Sequence, residues 1–173
     1  IDYLDDLTWR VEGPFDSNYS LAILNRELSL ALNKNIANLS ILSTEGPGDF
    51  DPNINFLKKC PPIYDLYIES LSKKQKNPIV VSRNLYPPRV NDLNSRINIL
   101  HAYGWEESEI PSDWIDNFNL YLDGITVMSG QVKKNLIDCG FYKPISICGL
   151  GFDHIMKSAE SIQFRFSPKT FKF

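Results

Sequence analysis

Residues that build metal centres and cross-links are scarce in this chain. Its 173 residues hold only three cysteines (Cys60, Cys139, Cys148) and two histidines. Three cysteines cannot all pair with one another. None falls in a CxxC and none clusters with a histidine, which argues against a zinc site and against a disulfide framework. The expectation is three reduced thiols in a cytoplasmic protein, with Cys148, set in an apolar run, acting as a small hydrophobe. Long apolar runs are also lacking, so no segment approaches the roughly 18–20 residues that cross a bilayer, and no basic-then-apolar signal segment opens the chain. Basic charge is not in excess. With 18 Lys and Arg against 21 Asp and Glu, the formal net charge is −3, which excludes bulk binding to a phosphate backbone and removes nucleic acid as an expected partner. GxGxxG, Gx4GK[ST], GxSxG and HExxH are all missing. Dinucleotide, kinase-like, serine-hydrolase and zinc-protease readings are therefore set aside.

What is present describes one ordinary globular domain: 43% hydrophobic and 23% charged residues, without internal repeats or low-complexity tracts. Thr8–Val11 reads as a strand, followed by the turn-rich Glu12–Ser17. Helical spacing of Leu21, Leu24, Leu28, Ala31 and Leu32 predicts a helix over Asn18–Asn33, with Asp16 or Ser17 capping its start. Strand character returns at Ala37–Ser43, before a loop at Thr44–Pro52. A second helix is expected at Ile63–Lys74, with Pro61-Pro62 able to begin it a turn earlier. Ile79–Val81 is a buried strand, Ser82–Asp92 a loop and Ile97–Tyr103 a strand. Asp113–Leu122 is helical and Ile125–Met128 is again a strand. Ser129 then caps a helix with an apolar face of Val132, Leu136 and Ile137, stopped by Gly140. Ile145–Leu150 forms the next strand, and the polar stretch from Lys157 to Lys169 reads as a linker. Strands alternating with helices specify an α/β fold: a Rossmann-like open parallel sheet with helices on both faces and right-handed crossovers. The boundaries expected are residues 1–156 for this domain and 157–173 for a linker and the start of a further one. The chain opens on Ile1 and closes on an apolar/polar alternation at Phe171-Lys172-Phe173, as a piece of a longer protein would.

In an open α/β sheet, ligands bind outside the carboxyl ends of the strands. That rule selects the loops Glu12–Ser17, Thr44–Phe50, Ser82–Arg89, His101–Trp105, Ser129 and Gly151–His154. Within them, Glu12, Gly13, Pro14, Phe15 and Asp16 join strand to helix, where a glycine admits a ligand to the backbone and free helix-start amides favour an anion. Arg83 and Arg89, with Asn84 and Tyr86, offer guanidinium forks for phosphate or carboxylate; they could equally be bound to Asp92 or Glu12. His101 has the chemistry of a general base or of a ligand to a hydroxyl, and equally of a satisfied, half-buried side chain. Tyr103 and Trp105 suit stacking on a sugar, or packing against the helix at Asp113. The run Glu106, Glu107 and Glu109 lacks the apolar frame that would raise a carboxyl pKa, and reads as a solvated face.

Trp9-Arg10-Val11-Glu12-Gly13-Pro14-Phe15-Asp16-Ser17, then Tyr19-Ser20-Leu21-Ala22 and Asn25-Arg26-Glu27-Leu28, resembles the start of bacterial family 4 glycosyltransferases of GT-B architecture. So does Ser43-Thr44-Glu45-Gly46-Pro47-Gly48-Asp49-Phe50. Asp123-Gly124-Ile125-Thr126-Val127-Met128-Ser129 and Gly149-Leu150-Gly151-Phe152-Asp153 are similar to the family's closing strands, with Phe152 where valine is usual. The resemblance implies two Rossmann-like domains facing across a cleft, this one chiefly binding the acceptor. A second domain binds the nucleotide-sugar donor and carries a Glu-x7-Glu element that cannot be assigned in this chain. It implies a retaining sugar transferase acting between a nucleotide-sugar donor and a glycan acceptor, without a metal or other cofactor, inactive without its donor domain. The cleft residues it implies are Glu12, Gly13, Pro14, Phe15, Asp16, Arg83, Asn84, Tyr86, Arg89, His101, Tyr103, Trp105 and Ser129, with His101 as the candidate catalytic group. Peripheral membrane contact stays open. The rival reading is a non-catalytic Rossmann-like binding module; an epimerase-like enzyme is remote without GxGxxG.

Overall fold

A computed structural model of the chain describes residues 6–46, 49, 51–72, 78–151 and 155–156. Among the described residues the elements run in the order β1 (Thr8–Gly13), α1 (Ser20–Asn33), β2 (Asn38–Ser43), α2 (Ile54–Leu57), α3 (Pro61–Ser72), β3 (Val80–Arg83), β4 (Ile97–Tyr103), α4 (Ser112–Tyr121), β5 (Gly124–Val127), α5 (Gly130–Asp138) and β6 (Ile145–Ile147). The strands form one sheet in the order β2-β1-β3-β4-β5-β6, and every neighbouring pair is parallel. The expected Rossmann-like α/β architecture is therefore present. The chain winds outward from β1 to β2, then returns across β1 to β3. This reversal puts the topological switch, where open sheets hold ligands, between the carboxyl ends of β1 and β3.

Strand alternation divides the core in two. Val11 pairs with Ser82, so Val11 and Val81 point to opposite faces. Val11, Leu39 and Ile41 pack with Phe15, Leu57, Ile63 and Leu66 on one face, where α1 also lies against β1 and β2. Val81, Leu100, Ile125 and Val127 pack with Ile115, Phe118 and Leu122 around α4, and with Val132 and Leu136 of α5, on the other. β2 is an edge strand, and α3 runs along it: Ser70 Oγ accepts from the Ile41 N–H at 3.0 Å, which covers a donor that an open edge would expose.

One irregularity shapes the upper end of β4. The register shifts between Leu100, opposite Ile125, and Tyr103, opposite Val127. The extra residue turns Tyr103 to the same face as Leu100, into the core. Ala102 absorbs the shift at φ 47, an uncommon conformation for a residue with a Cβ, and its N–H donates to Thr126 Oγ1 at 2.8 Å.

Several expectations need correcting. α1 begins at Ser20, with Tyr19 at the N-cap and no side-chain cap. Asp16 instead accepts from the Asn53 N–H, and the Ser17 hydroxyl is buried without a partner among the described residues. The most buried line of α1 is Ala22, Asn25 and Ser29, small and polar residues, while Ala31 is exposed. The helix lies too close to the sheet at this point for a leucine stripe to point straight at it. Ser82 and Arg83 belong to β3 rather than to the following loop. Ile137 is exposed, as is Leu150 beyond the shorter β6. All three cysteines are free, but Cys148 is exposed rather than packed as a hydrophobe. The short α2 has no sequence counterpart above. The linker and strand expected within 157–173 lie outside the described residues, as do Phe152, Asp153 and His154.

Gly13 sits at the switch with φ 149. A Cβ there would lie 2.2 Å from the Asn84 carbonyl oxygen and 2.3 Å from Asn25 Nδ2. Gly13→Ala is therefore expected to destabilise the fold by on the order of 3 kcal/mol through strain and overpacking; chemical denaturation with an unchanged m-value is the check.

Candidate functional site

Apart from Gly151–His154, most of which lies outside the described residues, the loops picked out above leave the carboxyl ends of β1 to β5, and parallel pairing puts those ends along one edge of the sheet. Beneath that edge, two buried polar networks fix the strands at the switch. The first lies on the face that carries Val11. The Asn25 amide nitrogen donates to the carbonyls of Pro14 and Asn84, each at 3.0 Å. Asn25 Oδ1 is therefore an acceptor, and His101 Nε2, 2.8 Å away, must carry the proton. Asn84 in turn donates to the carbonyls of His101 (2.8 Å) and Ala102 (3.3 Å). One helix, the β1 loop, the β3 loop and the β4 bulge thus meet in five side-chain and backbone contacts around Gly13.

His101 is 4% exposed. Burial pulls its pKa down to about 3, against a smaller upward pull from the Ser82 backbone. The imidazole is neutral at pH 7 and protonated on the nitrogen facing Asn25. Its Nδ1 has no hydrogen-bond partner among the described residues. In this arrangement His101 holds Asn25 rather than opening onto the rim.

The second network lies on the opposite face. Glu12 and Arg83 are register partners on adjacent strands, 1% and 5% exposed. Arg83 Nε and Nη2 donate to Glu12 Oε2 at 2.9 and 2.5 Å. Its Nη1 donates to the Arg89 carbonyl at 2.9 Å and to Asp92 Oδ1 at 2.5 Å, and Nη2 reaches Asp92 Oδ2 at 3.1 Å. Arg10 Nε and Nη2 close the far side, each 2.6 Å from Glu12 Oε1. Burial alone would lower the Arg83 pKa, but the bonds to Asp92 and the charge of Glu12 overcome it and keep the guanidinium ionised. The Arg83 bonds, against some burial, hold the Asp92 carboxyl below its usual range. All five Arg83 N–H groups are engaged, so this arginine braces the sheet and has no donor left for a ligand.

Nearer the surface, Arg26 Nη1 donates to the Phe15 and Ser17 carbonyls, both at 2.6 Å, and locks the β1–α1 loop. Phe15 itself is fully buried in the core. Ser129 caps α5 by accepting from the Val132 N–H at 3.3 Å, as expected from sequence. The exposed chemistry lies further along the edge. Tyr86 is 67% exposed and meets Trp114 edge to face at 6.1 Å; Trp114 meets Trp105 at 5.4 Å. Trp105 Nε1 is anchored on the Glu109 carbonyl at 2.8 Å. The Tyr103 hydroxyl below is buried without a partner among the described residues, and burial, with Tyr86 and Cys139 nearby, raises its pKa. Arg89 presents buried Nε and Nη2 that likewise lack an acceptor.

Among the described residues no group of three or more His, Cys, Asp and Glu side chains is placed to hold a metal, and no helix is long and apolar enough to cross a membrane. A depression of about 500 Å³ lies between α5 and β6, lined by Lys133, Ile137, Phe141 and Tyr142, away from the switch. Asn25, Arg26, Asp49 and Trp114 were not among the site residues expected from sequence, whereas Asp92 and Glu12 were weighed there as partners of the arginines, and both bind Arg83. Asn25 had one available signal, a polar residue in the middle of an apolar helix. Compared with models of known protein families, with curated proteins and with solved structures, the chain matches none.

Two outcomes are expected. Arg83→Met leaves Glu12 buried without its main counter-charge and should cost about 3 kcal/mol in equilibrium unfolding. The His101 linkage has a definite sign. Its pKa is about 6.5 when unfolded and about 3 when folded, so the unfolded chain binds the extra proton between those values. Stability is full above pH 6.5 and falls by about 1.4 kcal/mol per pH unit as pH drops through that window. Melting temperatures from pH 7 to 4.5, a range in which Asp49 and Asp92 stay ionised, should show this loss in the native chain and a flatter profile in His101→Gln.

Proposed function

We propose that this chain is the acceptor-side domain of a retaining glycosyltransferase, which moves a sugar from a nucleotide-sugar donor to a glycan or related acceptor in concert with a donor-binding domain. Three of the segments that carry the family resemblance are β1 with its loop, β2 with its loop, and β5 with the Ser129 cap. All three end at the same edge of a Rossmann-like sheet, which supports that reading.

The observation that carries it is the aromatic cluster on this edge, the exposed Tyr86 with Trp114 and Trp105, which are half-buried against the core. A pyranose ring has apolar C–H faces and polar rims. Exposed aromatic faces bury the former, and carboxylates or backbone groups meet the latter. Glu106 and Glu107 are exposed within the same loop as Trp105, where they can accept from sugar hydroxyls. The buried networks keep this surface rigid. Asn25, His101 and Arg83 act as positioning residues, holding the β1, β3 and β4 loops in one geometry. Closure of a donor domain over the edge would exclude water and align an acceptor hydroxyl with the anomeric carbon, which is where positioning contributes most to rate.

The test is saturation-transfer NMR of this chain with a panel of neutral mono- and disaccharides, followed by titration. Binding is expected, with transfer to the Trp105 and Trp114 rings. Tyr86→Ala combined with Trp114→Ala should weaken it about tenfold, through loss of stacking and apolar burial, while the circular dichroism spectrum stays unchanged. No sugar transfer is expected from this chain alone. Transfer by it, or a panel that leaves both tryptophans untouched, would overturn the assignment.

A further inference from the structure

We propose that the loop after β2, together with Arg89, forms a phosphoryl-binding site that the chain's own Asp49 carboxylate occupies when no ligand is bound. The phosphoryl class follows from the donors; only its identification with a sugar-transfer ligand rests on the function proposed above.

Start with the loop. The Thr44 N–H is tied to the Gly13 carbonyl at 3.0 Å, which fixes the loop at the switch. Beyond it, the Thr44 hydroxyl (2.7 Å), the Gly46 N–H (2.6 Å) and the Glu45 N–H all donate to one oxygen, Asp49 Oδ2. Successive backbone donors converging on one point make an anion nest. Gly46 completes it at φ 120. Tyr19, at the uncapped start of α1, donates its hydroxyl to Glu45 Oε1 at 2.8 Å, so the nest is braced against the helix.

Arg89 is the independent observation. Its guanidinium lies directly on Gly46: a Cβ at that position would fall 1.4 Å from Nη2 and 1.5 Å from Cζ. Only glycine leaves room for this contact. Nε and Nη2 form the side-on fork that binds two oxygens of one anion. Both are buried and neither has an acceptor among the described residues. Arg83, six positions earlier, has every donor filled, so a shortage of acceptors in this part of the fold does not explain the difference. Asp92 is committed to Arg83. Asp49 acts on Arg89 only through space: burial opposes ionisation, yet the bonds from Thr44, Gly46 and Glu45 and the charge of Arg89 hold its carboxyl below the usual range.

The site thus has two halves, a nest filled by an internal carboxylate and a fork left empty beside it. A carboxylate has two oxygens on one carbon, and with one on the nest it cannot also satisfy the fork. A phosphoryl group carries three terminal oxygens and can bridge both. Asp49 is exposed, so its release into solvent is cheap.

The experiment titrates the ¹⁵N-labelled chain with inorganic phosphate, pyrophosphate and glucose 1-phosphate, with glucose as the neutral control, alongside calorimetry. Binding of a phosphoryl compound with shifts of the Glu45 and Gly46 amide resonances is expected, and glucose should leave those resonances still. Arg89→Gln should weaken binding about tenfold or more, the value of a charge-assisted pair. Asp49→Ala should tighten it several-fold, and Asp49→Asn, which keeps an acceptor in the nest without the charge, should tighten it less. Equal affinity for phosphate and glucose 1-phosphate would show a site that reads the phosphoryl group alone; tighter glucose 1-phosphate would add a sugar contact beside it. Absence of binding to both the native chain and Asp49→Ala overturns the proposal. So does undiminished binding by a folded Arg89→Gln, or weaker binding by both Asp49 variants. Phosphoryl binding without any saccharide at Trp105 and Trp114 would keep this site and discard the sugar-transfer reading; the reverse pattern would do the opposite.

Discussion

At the turn where β1 ends, the backbone of the β3 loop and the side chain of Asn25 come so close to Gly13 that no Cβ fits between them. The rest of the edge is built on this approach. A parallel sheet that reverses its winding splits the loops on its two sides, and nothing in strand pairing alone holds those loops together. Here the cohesion comes from Asn25, which reaches from α1 to two carbonyls on different loops. His101 fixes the orientation of that amide from a third strand. A leucine at position 25 would bury more apolar surface, but it would leave the Pro14 and Asn84 carbonyls without this donor, and unpaired buried polar groups are costly. The polar line on α1 is therefore what lets the helix sit close to the sheet.

On the other face the same strands are joined by charge. Glu12 and Arg83 are adjacent by register, and burial this deep would be unfavourable for either alone. Arg10 and Asp92 supply the remaining partners, so each oxygen and each N–H near the centre is matched. The two networks differ in kind because their surroundings do. The Glu12 side ends near the surface at the exposed Asp92 carboxylate, where ions can be solvated. The His101 side is closed over by α1, where only neutral groups are tolerated.

Much of the architecture was legible in the residues. Ile97–Tyr103 read directly as a strand because Ile97, Ile99 and Leu100 form a short apolar, partly β-branched run between polar loops. Ser129 and Gly140 marked both ends of α5 because their roles, a hydroxyl for a free amide and a positive φ, are local. The edge expected to bind ligands followed from strand direction alone. What stayed hidden depends on tertiary contact. Asp16 is a good cap by type, but its carboxylate is drawn to the Asn53 N–H, distant in sequence. The β4 bulge has no local marker, since Ala102 carries no tendency toward positive φ. Asp49 is one of three acids in the loop Thr44–Pro52, and only the convergence of three donors on a single oxygen distinguishes it. Arg83 and Arg89 fall in one expected loop and share a chemistry, and sequence alone does not separate the strand end from the loop that follows it.

That division is the most informative contrast in the molecule. Arg83 ends β3 and Arg89 lies in the loop that follows it, and the backbone carbonyl of Arg89 accepts from the Arg83 side chain. Arg83 faces a register partner of opposite charge, so its position is set by the sheet and its donors are exhausted there. Arg89 lies past the last paired residue, where no strand neighbour is available, and it rests on a glycine instead of on a carboxylate. A guanidinium gains little from lying against a peptide and loses its hydration by doing so. Packing that leaves two of its donors without an acceptor among the described residues, beside a nest already shaped for an anion, gains an energetic rationale when an external acceptor completes it. The sheet brings the two features to one edge, and the loops leave the last set of oxygens to be supplied by a ligand.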